Sequence, residues 1–95
     1  MTDTFRDTLT DAAPPADAAP ALQALWWAGK GDWQAAHRLV QQHEGEHDSD
    51  LVHAHLHRQE GDLGNARAWY AGAGEPFPTL PLALEWDAIA ARLRG

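Results

Sequence analysis

The sequence predicts an all-α protein with two antiparallel helix hairpins and a C-terminal capping helix. Residues 31–36 (GDWQAA) align with residues 61–66 (GDLGNA), thirty positions further along the chain. A fixed period of this size is typical of stacked helix–turn–helix units. Apolar residues around both stretches recur at spacings of three and four, which indicates amphipathic helices. The 95 residues are enough for one domain, which we place at residues 18–95.

Residues 1–17 are predicted to form a disordered acidic tail. Four aspartates and one arginine give the segment an excess of negative charge. Phe5 and Leu9 are its only large apolar residues besides the initiator Met1. A segment with so little to bury does not offset the entropy lost on ordering. We therefore expect this tail to be dispensable for folding.

The first hairpin is predicted to begin near Pro20, because proline suits the first turn of a helix. Leu22, Leu25 and Trp26 form an apolar stripe that the Gly-Lys-Gly sequence of residues 29–31 interrupts. Asp32 is the expected N-cap of the second helix, where its carboxylate accepts hydrogen bonds from free amides. The apolar stripe of that second helix comprises Trp33, Ala36, Leu39, Val40 and His43.

The second hairpin repeats this plan. Ser49 or Asp48 is expected to cap a helix over about residues 50–60, and Gly61 ends it. Asp62 then caps the next helix, whose stripe comprises Leu63, Ala66, Trp69, Tyr70 and Ala73. A last helix over about residues 81–94 presents Leu82, Trp86, Ile89 and Leu93 on one face. Such a helix covers the apolar end of a repeat stack.

Composition argues against several classes of function. The formal net charge is −7 and no basic patch is present, so we expect neither nucleic acid nor an anionic membrane as a partner. The absence of cysteine rules out disulfides and thiol nucleophiles, and it fits a cytoplasmic location. No apolar run approaches the roughly 18–20 residues of a membrane span.

The second unit carries the strongest family resemblance. Its Gly-Asp start, followed by small residues and a proline at matching spacings, resembles the tetratricopeptide repeat; the matching residues are Ala54, Ala66, Tyr70, Ala73 and Pro78. The first unit matches less well, since His43 and Asp48 replace the usual alanine and proline. The chain also resembles short uncharacterised bacterial proteins with tetratricopeptide-like hairpins. That resemblance implies a fold and no activity.

The resemblance implies a peptide-binding groove lined by the first helix of each hairpin. In this register the groove residues are Leu25, Trp27, Ala28, His55, Arg58 and Gln59. Arg58 suits a partner's carboxylate, because its guanidinium donates two parallel hydrogen bonds. The leading predicted function is therefore a protein-interaction module, whose partner is a protein, a peptide or a second copy of the chain.

A histidine-rich face gives the alternative function, binding of a small molecule or a divalent metal. His53, His57 and Glu60 lie at helical positions i, i+4 and i+7, and these side chains suit zinc or a similar ion. One helix rarely surrounds an ion alone, so a ligand from another helix is needed. The competing interpretation buries His53 and His57 inside the hairpin, either in structural hydrogen bonds with Asn65, Tyr70 or backbone carbonyls, or in a pocket that Asn65, Trp69 and Tyr70 complete. We expect His37 to be exposed on the outer face of its helix.

An enzymatic function is less favoured. The Gly-x-Gly sequences at residues 29–31 and 72–74 lie at helix ends and lack the strand of a phosphate-binding loop. Ser49 is the only serine, and nothing in the sequence places it beside a base. Acid–base chemistry by the histidines is the remaining catalytic hypothesis.

Overall fold

A computed structural model describes residues 4–94, and its regular secondary structure over that range is entirely helical. This confirms the predicted fold class. The helices are α1 (Thr4–Asp7), α2 (Pro20–Lys30), α3 (Trp33–Gln41), α4 (His47–Gln59), α5 (Leu63–Gly72) and α6 (Leu82–Arg94), with a 3₁₀ turn at Thr8–Thr10 after α1. Among the described residues, no helix combines the length and the apolarity needed to cross a bilayer.

The turns within the two hairpins follow the same design. Asp32 accepts a hydrogen bond from the amide of Ala35 at 3.0 Å, and Asp62 accepts one from Asn65 at 3.2 Å. Gly31 and Gly61 have φ values of 88° and 85°, a left-handed conformation that favours glycine. The repeated Gly-Asp pair thus ends one helix and caps the next.

The start of α4 differs from the prediction. The helix begins at His47, and its N-cap residue Glu46 makes no side-chain capping bond. Ser49 and Asp48 therefore lie inside the helix and do not cap it. The carboxylate of Asp50 instead reaches back to accept from the amide of Gly45 at 3.1 Å, so the loop is held from within the first turn.

Helix α4 lies at the centre of the fold, in contact with α2, α3, α5 and α6. The hairpin pairs are α2 with α3 and α4 with α5. Ala54 and Ala66 are 0% exposed, as small residues at a close helix–helix contact should be. Helix α6 covers α2 and α4, and the indole of Trp86 donates to the carbonyl of Leu25 at 2.7 Å.

The first residues of the described chain correct the expectation of a disordered tail. Phe5 is only 5% exposed and stacks on Trp86 with ring centroids 5.8 Å apart. Thr8 accepts a hydrogen bond from the indole of Trp26 at 2.9 Å, and Arg6 pairs with Asp87. The disorder prediction is wrong for residues 4–10 because it weighed composition alone, whereas α2 and α6 offer an apolar surface to Phe5. Residues 1–3 lie outside the described range.

Phe5→Ala is expected to lower the free energy of unfolding by about 3 kcal/mol. The value sits at the low end for a buried phenylalanine because a terminal segment can relax when its anchor is lost. Urea denaturation followed by circular dichroism measures the change. Asp7→Ala, in the same segment and exposed, is the control and should stay within about 0.5 kcal/mol of the unmodified protein. Equal midpoints for all three proteins would show that the segment does not stabilise the fold.

Ala66→Leu is expected to destabilise the protein by about 1–3 kcal/mol, because three added carbons do not fit between α4 and α5. Ala68→Leu is the matched control, since Ala68 is exposed on the same helix. Thermal unfolding of both variants measures the difference. If the two variants melt together, the close contact at Ala66 does not exist.

Candidate functional site

Three imidazoles meet between the two hairpins. His37 comes from α3, while His53 and His57 come from successive turns of α4. The Nε2 atoms of His37 and His53 are 3.1 Å apart. One ring nitrogen from each of the three residues lies within 4.8 Å of the other two. Two helices therefore contribute donors to one small volume, here called the tri-histidine cluster.

His37 is half-buried, so its predicted exposure is wrong. Its ring stacks on Trp33 with centroids 4.5 Å apart. The indole of Trp33 in turn donates to the carbonyl of Leu56 on α4 at 2.8 Å. This hydrogen bond holds the indole against α4. Because the imidazole of His37 stacks on the indole, it also lies close to α4. His37 is therefore the contribution from a second helix that the metal hypothesis required.

Aromatic and amide groups surround the cluster. His53 stacks on Trp69 with centroids 3.9 Å apart, and the amide nitrogen of Asn65 lies 3.4 Å from Nε2 of His57. The structure thus brings together four of the five predicted pocket residues. Tyr70 is the exception, because its hydroxyl donates to Glu85 on α6.

The cluster favours neutral imidazoles. Burial, with the nearby His57 and His37, lowers the pKa of His53 to about 4. Burial also lowers the pKa of His37, with a further contribution from His57. Nδ1 of His53 is buried without a hydrogen-bond partner among the described residues. Neutral imidazole is the form that binds a metal ion, so this environment supplies ligands that need not lose a proton near neutral pH.

Glu60 supports the cluster from its edge. Its carboxylate lies 2.8 Å from Nδ1 of His57, so an ionised Glu60 accepts a hydrogen bond from Nδ1 and leaves the lone pair on Nε2, which Asn65 contacts at 3.4 Å. The carboxylate of Asp62 lies near His57 and Glu60 as well, but it accepts the capping hydrogen bond at the start of α5. The predicted set of His53, His57 and Glu60 is therefore corrected: His37 provides the third clustered nitrogen, and Glu60 orients His57.

Helix α6 covers most of the predicted groove. Leu25 and His55 are 0% and 1% exposed, and Arg58 is half-buried. Residues that line an open groove would be exposed, but α6 packs over His55 and Arg58 and brings Glu85 to both side chains. Trp27 is half-buried against Trp26 and Gln59 is exposed.

The buried carboxylate of Glu85 receives three donors. Nδ1 of His55 lies 2.7 Å away, Nη1 of Arg58 2.9 Å and the Tyr70 hydroxyl 2.5 Å. Burial alone would raise the pKa of Glu85, but the hydrogen bonds from His55 and Tyr70 outweigh it and the pKa is lowered. Burial, together with this bond to Glu85, raises the pKa of Tyr70. Glu85 is therefore ionised at neutral pH.

Sequence reasoning missed two contributors, His37 and Glu85. The thirty-residue shift aligns His37 with the exposed Arg67, so the repeat itself indicated an outward position. One feature of the sequence does indicate an inward His37. Trp33 lies one turn earlier on the same face of α3, and an imidazole that stacks on this indole would lie toward α4. Glu85 gave no signal beyond its place in the first turn of α6, where the helix dipole favours a carboxylate.

Comparisons with protein-family models, curated proteins and solved structures gave no match to the chain. The tetratricopeptide likeness therefore rests on the motif and on the hairpins alone.

The metal-free protein is expected to lose stability as the pH falls from about 6.5 to 4. His53 is protonated near pH 6.5 when unfolded, whereas its folded pKa is about 4. The unfolded state therefore binds more protons across this window, and the loss reaches about 3 kcal/mol below it. Urea denaturation with EDTA present, at several pH values, measures the effect.

His53→Gln removes this titration, so its stability should vary less with pH than that of the unmodified protein. His43→Gln, which changes a histidine outside the cluster, should retain the full dependence. Parallel curves for His53→Gln and the unmodified protein between pH 6.5 and 4 would contradict the assignment.

Proposed function

We propose that this protein binds a divalent transition-metal ion of the zinc class through His37, His53 and His57, on a scaffold of tetratricopeptide-like hairpins. The observation that carries the proposal is the convergence of three imidazoles from two hairpins, with ring nitrogens within 4.8 Å of one another. This is the metal alternative drawn from the sequence, with His37 as the added ligand.

The spacing of the nitrogens supports an ion. Two imidazole nitrogens on one tetrahedral zinc, with bonds of about 2.0–2.1 Å, stand about 3.4 Å apart. The Nε2 atoms of His37 and His53 are 3.1 Å apart, close to that spacing. Because all three nitrogens lie within 4.8 Å of one another, the third ring needs to move by at most about 1.4 Å to reach the same spacing.

The donor chemistry supports a particular class of metal. Imidazole nitrogens favour zinc, copper and nickel, whereas magnesium and calcium favour oxygen ligands. Three protein ligands leave a fourth tetrahedral position for water or another molecule. The carboxylate of Glu60 on Nδ1 of His57 matches the second partner that a metal-bound histidine usually has.

Metal binding should also stabilise the fold, since the ligands lie on α3 and α4 and so join the two hairpins. An ion that binds only the folded state stabilises it by about 2.7 kcal/mol when its free concentration is a hundred times the dissociation constant. A rise in melting temperature on adding zinc therefore accompanies occupancy.

The interaction-module function stays a prediction. Glu85 already engages Arg58 and His55, so a peptide carboxylate would have to compete with an internal one. Trp27 and Gln59 keep more accessible surface on that side. The cytoplasmic location and the bacterial relationship likewise stay predictions from the sequence.

Untagged protein treated with EDTA and dialysed is expected to bind one zinc ion, measured by titration calorimetry. Cobalt(II) in place of zinc should give the visible absorption bands of a tetrahedral site. His37→Gln removes one ligand from a half-buried position and should weaken binding about a hundredfold or more.

His43→Gln is the matched control, because it removes a histidine outside the cluster and should leave the affinity unchanged. Circular dichroism confirms that both variants fold. The proposal is wrong if the unmodified protein binds no zinc, or if His37→Gln binds zinc as tightly as His43→Gln.

A further inference from the structure

A cavity lies on the side of α4 that faces away from the tri-histidine cluster. Its volume is about 280 Å³. Leu9, Ala28, Leu82, Ala83 and Trp86 give it apolar walls, drawn from the N-terminal segment, α2 and α6. An apolar cavity of about 150 Å³ is sufficient to hold benzene, so this one accommodates a substituted six-membered ring. We call it the His55 cavity.

One end of the His55 cavity is polar. His55 lines it, and Nδ1 of that ring faces Glu85 at 2.7 Å. An ionised carboxylate only accepts hydrogen bonds, so Nδ1 of His55 carries the proton that it shares with Glu85, and Nε2 is the remaining polar atom of the ring. The amide of Gln59 also lines the cavity and reaches the carbonyl of Ala28 at 3.5 Å, a long contact that leaves it able to donate to another group.

The two polar groups define the ligand chemistry. A phenolic hydroxyl both donates and accepts hydrogen bonds, so it can pair with the imidazole nitrogen of His55 and accept from the amide of Gln59. A planar ring suits walls formed by Trp86 and aliphatic side chains, as ligand cavities commonly combine apolar walls with a few polar groups. We propose that the His55 cavity binds a small single-ring phenol, with its hydroxyl between His55 and Gln59.

This site is independent of the proposed metal function. His55 lies two residues from both His53 and His57, so its side chain leaves α4 on the opposite face. The N-terminal segment forms one wall through Leu9 and Arg6. Arg6 is held by Asp87 at the protein surface, and it closes the wall rather than supplying a free charge to the ligand.

The test is a titration of the EDTA-treated full chain with phenol, followed by ¹H–¹⁵N NMR. The amide of Gly29 and the indole N–H of Trp86 should shift in a saturable manner, because both residues line the cavity. Toluene, which replaces the hydroxyl by a methyl group, should bind about tenfold more weakly, the equivalent of one hydrogen bond.

Two variants locate the ligand. Ala83→Phe fills the cavity from an exposed position on α6 and should weaken phenol binding at least tenfold, while Ala88→Phe, also exposed on α6 but outside the lining, should not. Gln59→Leu changes an exposed residue and keeps its approximate size, and it should reduce the preference for phenol over toluene.

Three outcomes would overturn the proposal: no saturable shift with millimolar phenol, equal binding of phenol and toluene, or equal phenol binding by Ala83→Phe and Ala88→Phe. Because the protein is metal-free throughout, none of these results depends on the tri-histidine cluster.

Discussion

The arrangement of the helices depends on the buried carboxylate of Glu85. An ionised carboxylate removed from water is costly, and losing a partner of a buried charge typically costs several kcal/mol. Hydrogen bonds from α4 and α5 offset this cost for Glu85; the donors are His55, Arg58 and Tyr70. Arg58 also donates to the carbonyl of Leu80, just before α6. The charge therefore fixes α6 in one position on the second hairpin, which apolar packing alone would specify less strictly.

The position of α6 in turn organises the first hairpin and the N-terminal segment. Trp86, one residue after Glu85, donates to the carbonyl of Leu25 and lies against Gly29, where a Cβ atom would stand 2.8 Å from the indole. Phe5 then stacks on the same indole. One buried residue on α6 thus connects α2 with the start of the chain, and the His55 cavity lies between these elements.

The predictable part of the structure is the part encoded locally. Gly31 and Asp32, with Gly61 and Asp62, set helix ends through interactions within four residues, so the hairpins follow from the sequence. The roles of Ala54 and Ala66 could also be predicted from the sequence, because a close helix contact requires small side chains. The docking of Phe5, the carboxylate of Glu85 and the inward turn of His37 depend on partners far along the chain. The thirty-residue repeat does not indicate these three long-range contacts, because they are not repeated in the other unit.

Helix α4 carries three buried histidines, whereas the corresponding helix α2 of the first hairpin carries none, and packing accounts for all but one of them. Four other helices contact α4, so His53, His55 and His57 are buried and each of their ring nitrogens needs a partner. His55 has Glu85, and His57 has Glu60 and Asn65. His53 has only the Nε2 contact with His37, while its Nδ1 has none among the described residues. A histidine kept only for packing would be expected to satisfy both nitrogens, as His57 does. The deficit falls within the tri-histidine cluster, where the binding energy of a metal ion on the Nε2 side of His53 would offset the cost of leaving Nδ1 unpaired.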